Sequence, residues 1–409
     1  MIICQETMDM NGTSKNKGYP SLFLAGFLGY GEGTLADKVY HYWGFSIRRD
    51  LLKHLREEGY EVYDPHLGPF NSAWDRSCIL WAYLMGGTVD FGKVHSEKYG
   101  HARYGRTYPG ILKDWGQEGP HEKINIIGHS FGGPLLKMFA ELVYNGSDEE
   151  IAGTPPEELS PLFKKDKPQK IHTITTLSGV MNGTTLADLF GERGMKAATW
   201  VILMLAAMIG DSSIMKVYDL YFDHWNGLTK APDKISGKFH GPLWNKEAIR
   251  AYAANHIDSV FMEMQTRVAE ELNDQYRYLD PDTYYFCRRA KRSRETKRGY
   301  QTPDTIPSQP QLAVTVWFLG HFDPKHLRKY GADRNWFEND SLVNVPGMSA
   351  PFHAPQEDID DIRKSKPGIW TNLPVEHPKD HMSWIGTGEK RDVFYAYFDQ
   401  MLEDFQALK

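Results

Sequence analysis

The pentapeptide Gly128-His129-Ser130-Phe131-Gly132 constrains this chain more than any other feature. It matches G-x-S-x-G and stands in the context that pattern requires. An apolar run, Lys123-Ile124-Asn125-Ile126-Ile127, precedes it. Gly132 to Tyr144 follows, with Leu135, Leu136, Phe139, Leu142 and Val143 on one helical face and Gly146 as the stop. A serine at a tight strand-to-helix turn takes strained backbone angles, and flanking side chains would strike the crossing backbone, hence the glycines. The turn lifts the hydroxyl above the sheet and aims free helix N–H groups at charge developing on a substrate oxygen. Ser130 therefore reads as a nucleophile, with a plain Ser-Gly turn as the alternative.

The rest of the chain supplies matching elements. Ser21-Leu22-Phe23-Leu24-Ala25 reads as a buried strand running into a Gly-rich turn, Gly26 to Gly31. Ser46 is the expected N-cap of a helix through Glu58, with Leu51, Leu52 and Leu55 inward and Gly59 as its stop. Tyr60 to Tyr63 and Ile171 to Leu177 are further strands. Residues 66–120, rich in Gly, Pro and aromatics, read as a loop-dominated excursion. Val393, Phe394, Tyr397, Phe398, Met401, Leu402 and Phe405 define a final amphipathic helix. Strands alternating with helices argue for an α/β fold on a mostly parallel sheet.

Composition narrows the function. The chain has 409 residues, 41% of them apolar and 24% charged, which excludes disordered and collagen-like architectures. A formal net charge of −6 is a poor match to a nucleic-acid binder. Cys4, Cys78 and Cys287 are odd in number and scattered, so neither a disulfide framework nor a Cys-based zinc ribbon is expected. The first twenty residues show no signal-peptide pattern. The apolar run 197–209 is too short to cross a bilayer, which takes about 20 apolar residues.

A serine nucleophile needs a base and a group that orients it, and this fold class supplies them in the order Ser, Asp/Glu, His. Asp340 stands in the polar turn Phe337 to Val343, and His381 in Pro378 to Trp384 before the last helix. Pattern alone leaves rivals open: His377 as base, and Asp358, Asp360 or Asp361 as acid.

At several longer stretches the chain resembles the thermoalkalophilic bacterial lipases, zinc-containing true lipases of Bacillus-type and staphylococcal enzymes, and their clostridial polyester-cleaving relatives. Tyr42-Trp43-Gly44, Asn71 to Arg76, Gly86-Gly87-Thr88-Val89-Asp90-Phe91-Gly92, His95, Gly100 to Gly110, Leu159 to Phe163, Asn182 to Leu186 and Val217 to Asp219 carry that resemblance. It implies an α/β-hydrolase fold in one domain over 1–409, with a zinc-binding insertion at 66–110 and a lid or cap at 183–245. It also implies Ser130, Asp340 and His381 as the triad, and the backbone N–H groups of Phe27 and Phe131 as the oxyanion hole. The family usually reads His-Gly where this chain has Ala25-Gly26, and a polar residue where Phe131 is expected to grease the site.

By the same resemblance Asp75, His95, His101 and Asp223 are structural zinc ligands; two imidazoles and two carboxylates suit tetrahedral Zn²⁺. Calcium is not expected at the family's usual site. Ser383 and Gly388-Glu389-Lys390 stand there, and the basic run Arg288 to Arg294, read as a solvated loop, faces it. The run 197–209 reads as the lid, with a buried core helix as its main rival and a membrane-surface helix as a third reading. The implied function is a secreted carboxylic-ester hydrolase, a lipase or esterase acting on acylglycerols and other apolar esters, extending to aliphatic-aromatic polyesters. Thioester or amide cleavage on the same fold and a non-catalytic lipid binder are the alternatives. The implied partner is a lipid or polymer surface.

Overall fold

The apolar run before Ser130 becomes the middle of a parallel sheet in a computed structural model that describes residues 17–189, 218–221, 224–225, 258–323, 325, 327 and 334–408. The strands are β1 (Ser21–Leu24), β2 (Val62–Tyr63), β3 (Gly87–Asp90), β4 (Tyr104–Tyr108), β5 (Lys123–His129), β6 (Lys170–Leu177), β7 (Tyr284–Arg288), β8 (Ser293–Glu295), β9 (Gln301–Pro303), β10 (Gln356–Asp358) and β11 (Trp370–Asn372). Seven of them form one sheet in the order β10-β11-β7-β6-β5-β1-β2. Every neighbouring pair in it is parallel. Behind their leading lysines β5 and β6 are buried throughout, as strands covered on both faces are. Leu24 pairs with Gly128 and His129 with Leu177, so β1, β5 and β6 end level with one another. Their carboxyl ends form the edge where open α/β sheets bind ligands. This is an α/β-hydrolase architecture.

One face of the sheet carries a core that includes Trp81, Trp115 and Phe139. The other is covered by Trp43, Trp384 and the helix Arg391–Gln406, which buries Phe394, Phe398, Met401, Leu402 and Phe405 as its periodicity predicts. Val393, counted in that stripe, is exposed. Cys78 and Cys287 are buried free thiols; Cys4 and the run 197–209 lie outside the described residues.

Two expectations need correction. The helix expected from Ser46 runs Leu51–Glu57, because Asp50 caps it by accepting from Lys53 N at 2.9 Å. Residues 66–120 are not loop-dominated: they hold the helix Ala73–Met85, the β3–β4 hairpin and the helix Lys93–Tyr99. The first of these is buried on almost every side, so it lacks the polar face that makes a helix legible.

The helix Gly132–Asn145 also carries a half-buried lysine. Lys137 Nζ donates to Leu272 O at 3.2 Å and Asn273 Oδ1 at 2.6 Å. Burial pushes its pKa down to about 7. The unfolded chain then holds more protons than the fold between about pH 7 and the ordinary lysine value, about 10.4, and stability rises with pH across that window. Lys137→Met removes the titration. Its melting midpoint relative to the parent is expected to be highest at pH 6 and to fall steadily towards pH 10; a pH-independent difference would refute the linkage.

Candidate functional site

Ser130 sits where β5 ends and the helix begins, at φ +58°, a left-handed conformation that costs a non-glycine residue roughly 1–3 kcal/mol. Three backbone bonds of 3.0 Å hold it: Ser130 N to Leu177 O, and Gly133 N and Val180 N to Ser130 O. A Cβ on Gly128 would stand 2.7 Å from the Gly132 backbone, and one on Gly26 only 2.6 Å from Ser130 Cβ. Glycine at 128 lets the turn close, and glycine at 26 lets the loop after β1 reach the serine.

His381 opens a short 3-10 turn, His381–Ile385, capped by Asp380, which accepts from Met382 N and Ser383 N at 3.1 Å. Asp380 also accepts from Ser308 N at 2.6 Å and Ser308 Oγ at 2.9 Å, tying this turn to the 308 loop. His381 Nδ1 donates to Asp340 Oδ2 at 2.7 Å. The other oxygen of Asp340 accepts from Leu342 N at 3.0 Å and Val343 N at 2.8 Å, so this fully buried carboxylate is satisfied and fixed. That bond places the ring proton on Nδ1 and leaves Nε2 free to accept.

Ser130 and His381 border the same cavity of about 800 Å³, whose other walls include Phe27, Leu28, Val180, Phe261 and Leu312. No hydrogen bond joins Ser130 Oγ to the imidazole here; such bonds are often long in unliganded sites and tighten with substrate. Among the described residues the Phe27 and Phe131 N–H groups have no hydrogen-bond partner. The ring of Phe131 corrects an expectation: it is fully buried behind the turn instead of lining the cavity.

His129, only a filler position in the motif, is a structural link that pattern reading missed. Its Nε2 donates to His381 O at 3.0 Å, while Tyr42 Oη donates to its Nδ1 at 2.8 Å and accepts from Gly26 N at 3.0 Å. Burial, reinforced by His381, pushes its pKa well below the usual histidine range, so it stays neutral. The strand that ends at Ser130, the Gly26 loop and the His381 turn thus share one chain of hydrogen bonds. The rival residues are occupied elsewhere. His377 faces Asp304 at 3.3 Å, Asp358 pairs with Arg289 and Asp360 with Lys364, and Asp361 caps a surface turn. The basic run is not a bare solvated loop: Arg288 donates to Tyr397, Arg289 to Leu373 O, Lys291 to Glu338 and Arg292 to Ile306 O.

A second cluster lies beside the helix Ala73–Met85. Asp75, His95, His101 and Asp258 each bring a ligand atom to within 4.8 Å of the others. His95 Nε2 lies 3.2 Å from Asp258 Oδ2 and 3.6 Å from Asp75 Oδ1, and His101 Nε2 3.8 Å from Asp258 Oδ2. Tetrahedral bonds of about 2.0 Å set neighbouring donor atoms about 3.3 Å apart, so the spacing fits a small divalent ion. Asp75 Oδ1 and His101 Nε2 are buried without a hydrogen-bond partner, the state of two donors aimed at a cation. His101 Nδ1 donates to Ala102 O at 3.0 Å, which turns the Nε2 lone pair inward. Burial works against every charge here, yet His224, His95 and His101 hold the Asp75 carboxyl below its usual range. Against the same burial, Asp258 and Asp75 raise His95 to about 9. The expected Asp223 lies outside the described residues, and the carboxylate at the cluster is Asp258. His224, next to the expected position, donates to Asp75 Oδ2 at 2.9 Å from behind. No local spacing links residue 258 to the others, so only the fold exposes it.

Comparison with known proteins agrees with this architecture. The family model described as "Lipase-like, C-terminal domain" matches residues 16–406. A lipase of Staphylococcus epidermidis is 30% identical over 96% of this chain and 55% of its own length, and lipase 1 of Staphylococcus aureus (strain MRSA252) 32% identical over 92% and 52%. The chain thus spans about half the length of the curated relatives it matches. Among solved structures, Staphylococcus hyicus lipase superposes with a TM-score of 0.82 at 27% identity, covering 97% of this chain and 98% of that one. EstA from Clostridium botulinum gives 0.76 at 30%, covering 100% and 93%.

Proposed function

Because the chain belongs to the bacterial lipase family described as lipase-like C-terminal domains, we propose that it is a carboxylic-ester hydrolase working through Ser130, His381 and Asp340. The observation that carries this reading is the 2.7 Å His381–Asp340 bond on a ring that opens into the same cavity as Ser130. His381 Nε2 takes the Ser130 proton as Oγ attacks the ester carbonyl, and the imidazolium forms against the buried Asp340 carboxylate. The N–H groups of Phe27 and Phe131 receive the tetrahedral oxyanion. His381 returns its proton to the leaving alcohol, then activates the water that releases the acid. A largely apolar cavity suits acyl chains, so the substrates are acylglycerols and other apolar esters, with aliphatic-aromatic polyesters in range.

The remaining parts of the reading rest on the family and on the donor set. Asp75, His95, His101 and Asp258 would hold a structural Zn²⁺ with all four positions filled by protein, which leaves none for a reacting water. Residues 66–110 supply three of those four ligands, Asp75, His95 and His101; residues 183–245, with the apolar run 197–209, are proposed as the lid on sequence alone, and secretion on family resemblance.

Two measurements test the function. A panel of p-nitrophenyl acylates, a triglyceride emulsion and an aromatic polyester film, run beside matched amides and thioesters, is expected to show ester cleavage dominant. Faster amide or thioester turnover would overturn it. Asp340→Asn is expected to lower kcat about 10⁴-fold on a soluble ester, through loss of the correct imidazole tautomer, with KM little changed. A kcat within tenfold of the parent would remove Asp340 from the triad.

A further inference from the structure

Immediately after Asp75, on the same buried helix, stands Arg76, 1% exposed. Its guanidinium donates to Asn71 O at 3.1 Å, to Ala25 O at 3.1 Å and to Gly26 O at 3.4 and 3.5 Å. Its carbon lies 4.9 Å from the ring centroid of Phe131. These targets share one property. The peptide unit that owns Gly26 O also owns the N–H of Phe27, and Phe131 carries the other N–H that faces the oxyanion. A guanidinium is charged at any working pH, and burying one without a full bidentate carboxylate partner is costly. Glu263, the carboxylate whose field reaches it, is occupied in accepting from Ala73 N at 2.8 Å.

We propose that Arg76 is a positioning residue for the oxyanion hole: it clamps the Gly26–Phe27 peptide and the Phe131 ring so that both N–H groups converge, and it adds positive potential behind them. A trans peptide is rigid, with C=O and N–H pointing opposite ways, so holding the oxygen from behind aims the Phe27 N–H into the cavity. Donation to the carbonyl also polarises the same peptide and strengthens its N–H as a donor. Gly29 N, at 3.2 Å from Gly26 O, assists the clamp from within the loop. The stack on Phe131 gives that residue a role its buried ring otherwise lacks. The proposal rests on the hydrolase reading above, and native ester turnover establishes that reading before any variant is made.

The test uses Arg76→Met and Arg76→Lys in the full chain, each checked for metal content and melting midpoint. Removing one oxyanion donor outright lowers kcat about 10²- to 10³-fold, so loss of its support is expected to lower kcat by about tenfold or more in R76M. R76K, which keeps the charge but not the fork, is expected to lose more than twofold but less than R76M. KM for a soluble short-chain ester stays within about twofold, and phosphonylation of the serine slows in proportion to kcat; a merely structural role would lower the melting midpoint without that selective kcat loss. A kcat within twofold of the parent in either variant that keeps fold and metal overturns the proposal. Should neither fold, the native protein with labelled guanidinium nitrogens is expected to show the Arg76 resonances move on phosphonylation, and unmoved resonances overturn it equally.

Discussion

Ser130→Ala is expected to abolish ester turnover, with kcat lowered about 10⁶-fold and burst release of p-nitrophenol lost, while substrate binding and the melting curve hardly change. The size follows from the division of labour. His381 and Asp340 act only through the Oγ, so without it the pair has no nucleophile to serve, and only the oxyanion donors and the cavity remain. The small effect on stability follows from the structure. Ser130 is held by backbone bonds alone, and alanine meets the same positive φ as serine does. Steady-state kinetics on a soluble ester and a thermal melt check both halves. Wild-type turnover in a folded S130A protein would remove the nucleophile from the account.

Loss of the metal is expected to be the largest effect on stability. Protein prepared without chelators should hold about one zinc per chain. Stripping it leaves Asp75 and Asp258 facing two imidazoles in a buried site, an arrangement that then depends on protonation. Structural zinc contributes on the order of 10 kcal/mol to small domains. Even a fraction of that, at about 2–4 °C per kcal/mol for chains somewhat smaller than this one, lowers the melting midpoint by about 10 °C or more. His101→Ala and Asp258→Asn should each reproduce the loss of metal seen with a chelator. Activity should fall as well, since Asp75 and the oxyanion clamp Arg76 are adjacent on one helix. Full metal retention by D258N would return the fourth position to Asp223, and a metal-free protein with an unshifted melt would end the structural-zinc reading.

The sequence was most legible where one pattern had one cause. The strand-turn-helix around residue 130, the parallel sheet and the final helix each pair a clear periodicity with a clear stop, and the structure follows them. The helix Ala73–Met85 was hidden because a helix buried on nearly all sides shows neither a polar face nor a contrast in spacing. Asp258 was hidden for another reason. A carboxylate far along the chain from His101 joins the cluster only through the fold, and His224, beside the expected Asp223, supports Asp75 from behind. His129 and Arg76 carry no motif weight, yet they join the serine, the Gly26 loop and the His381 turn through buried hydrogen bonds. A capping preference cost less: Ser46 and Asp50 are both good N-caps, and only the observed bond to Lys53 N chooses between them.

The most direct measurement is peptide mapping by mass spectrometry after treatment with a fluorophosphonate. The account predicts a single adduct per chain on the peptide bearing residue 130, forming far more slowly once Asp340 is changed to asparagine. An adduct on another serine, or none from a sample that hydrolyses esters, would contradict it.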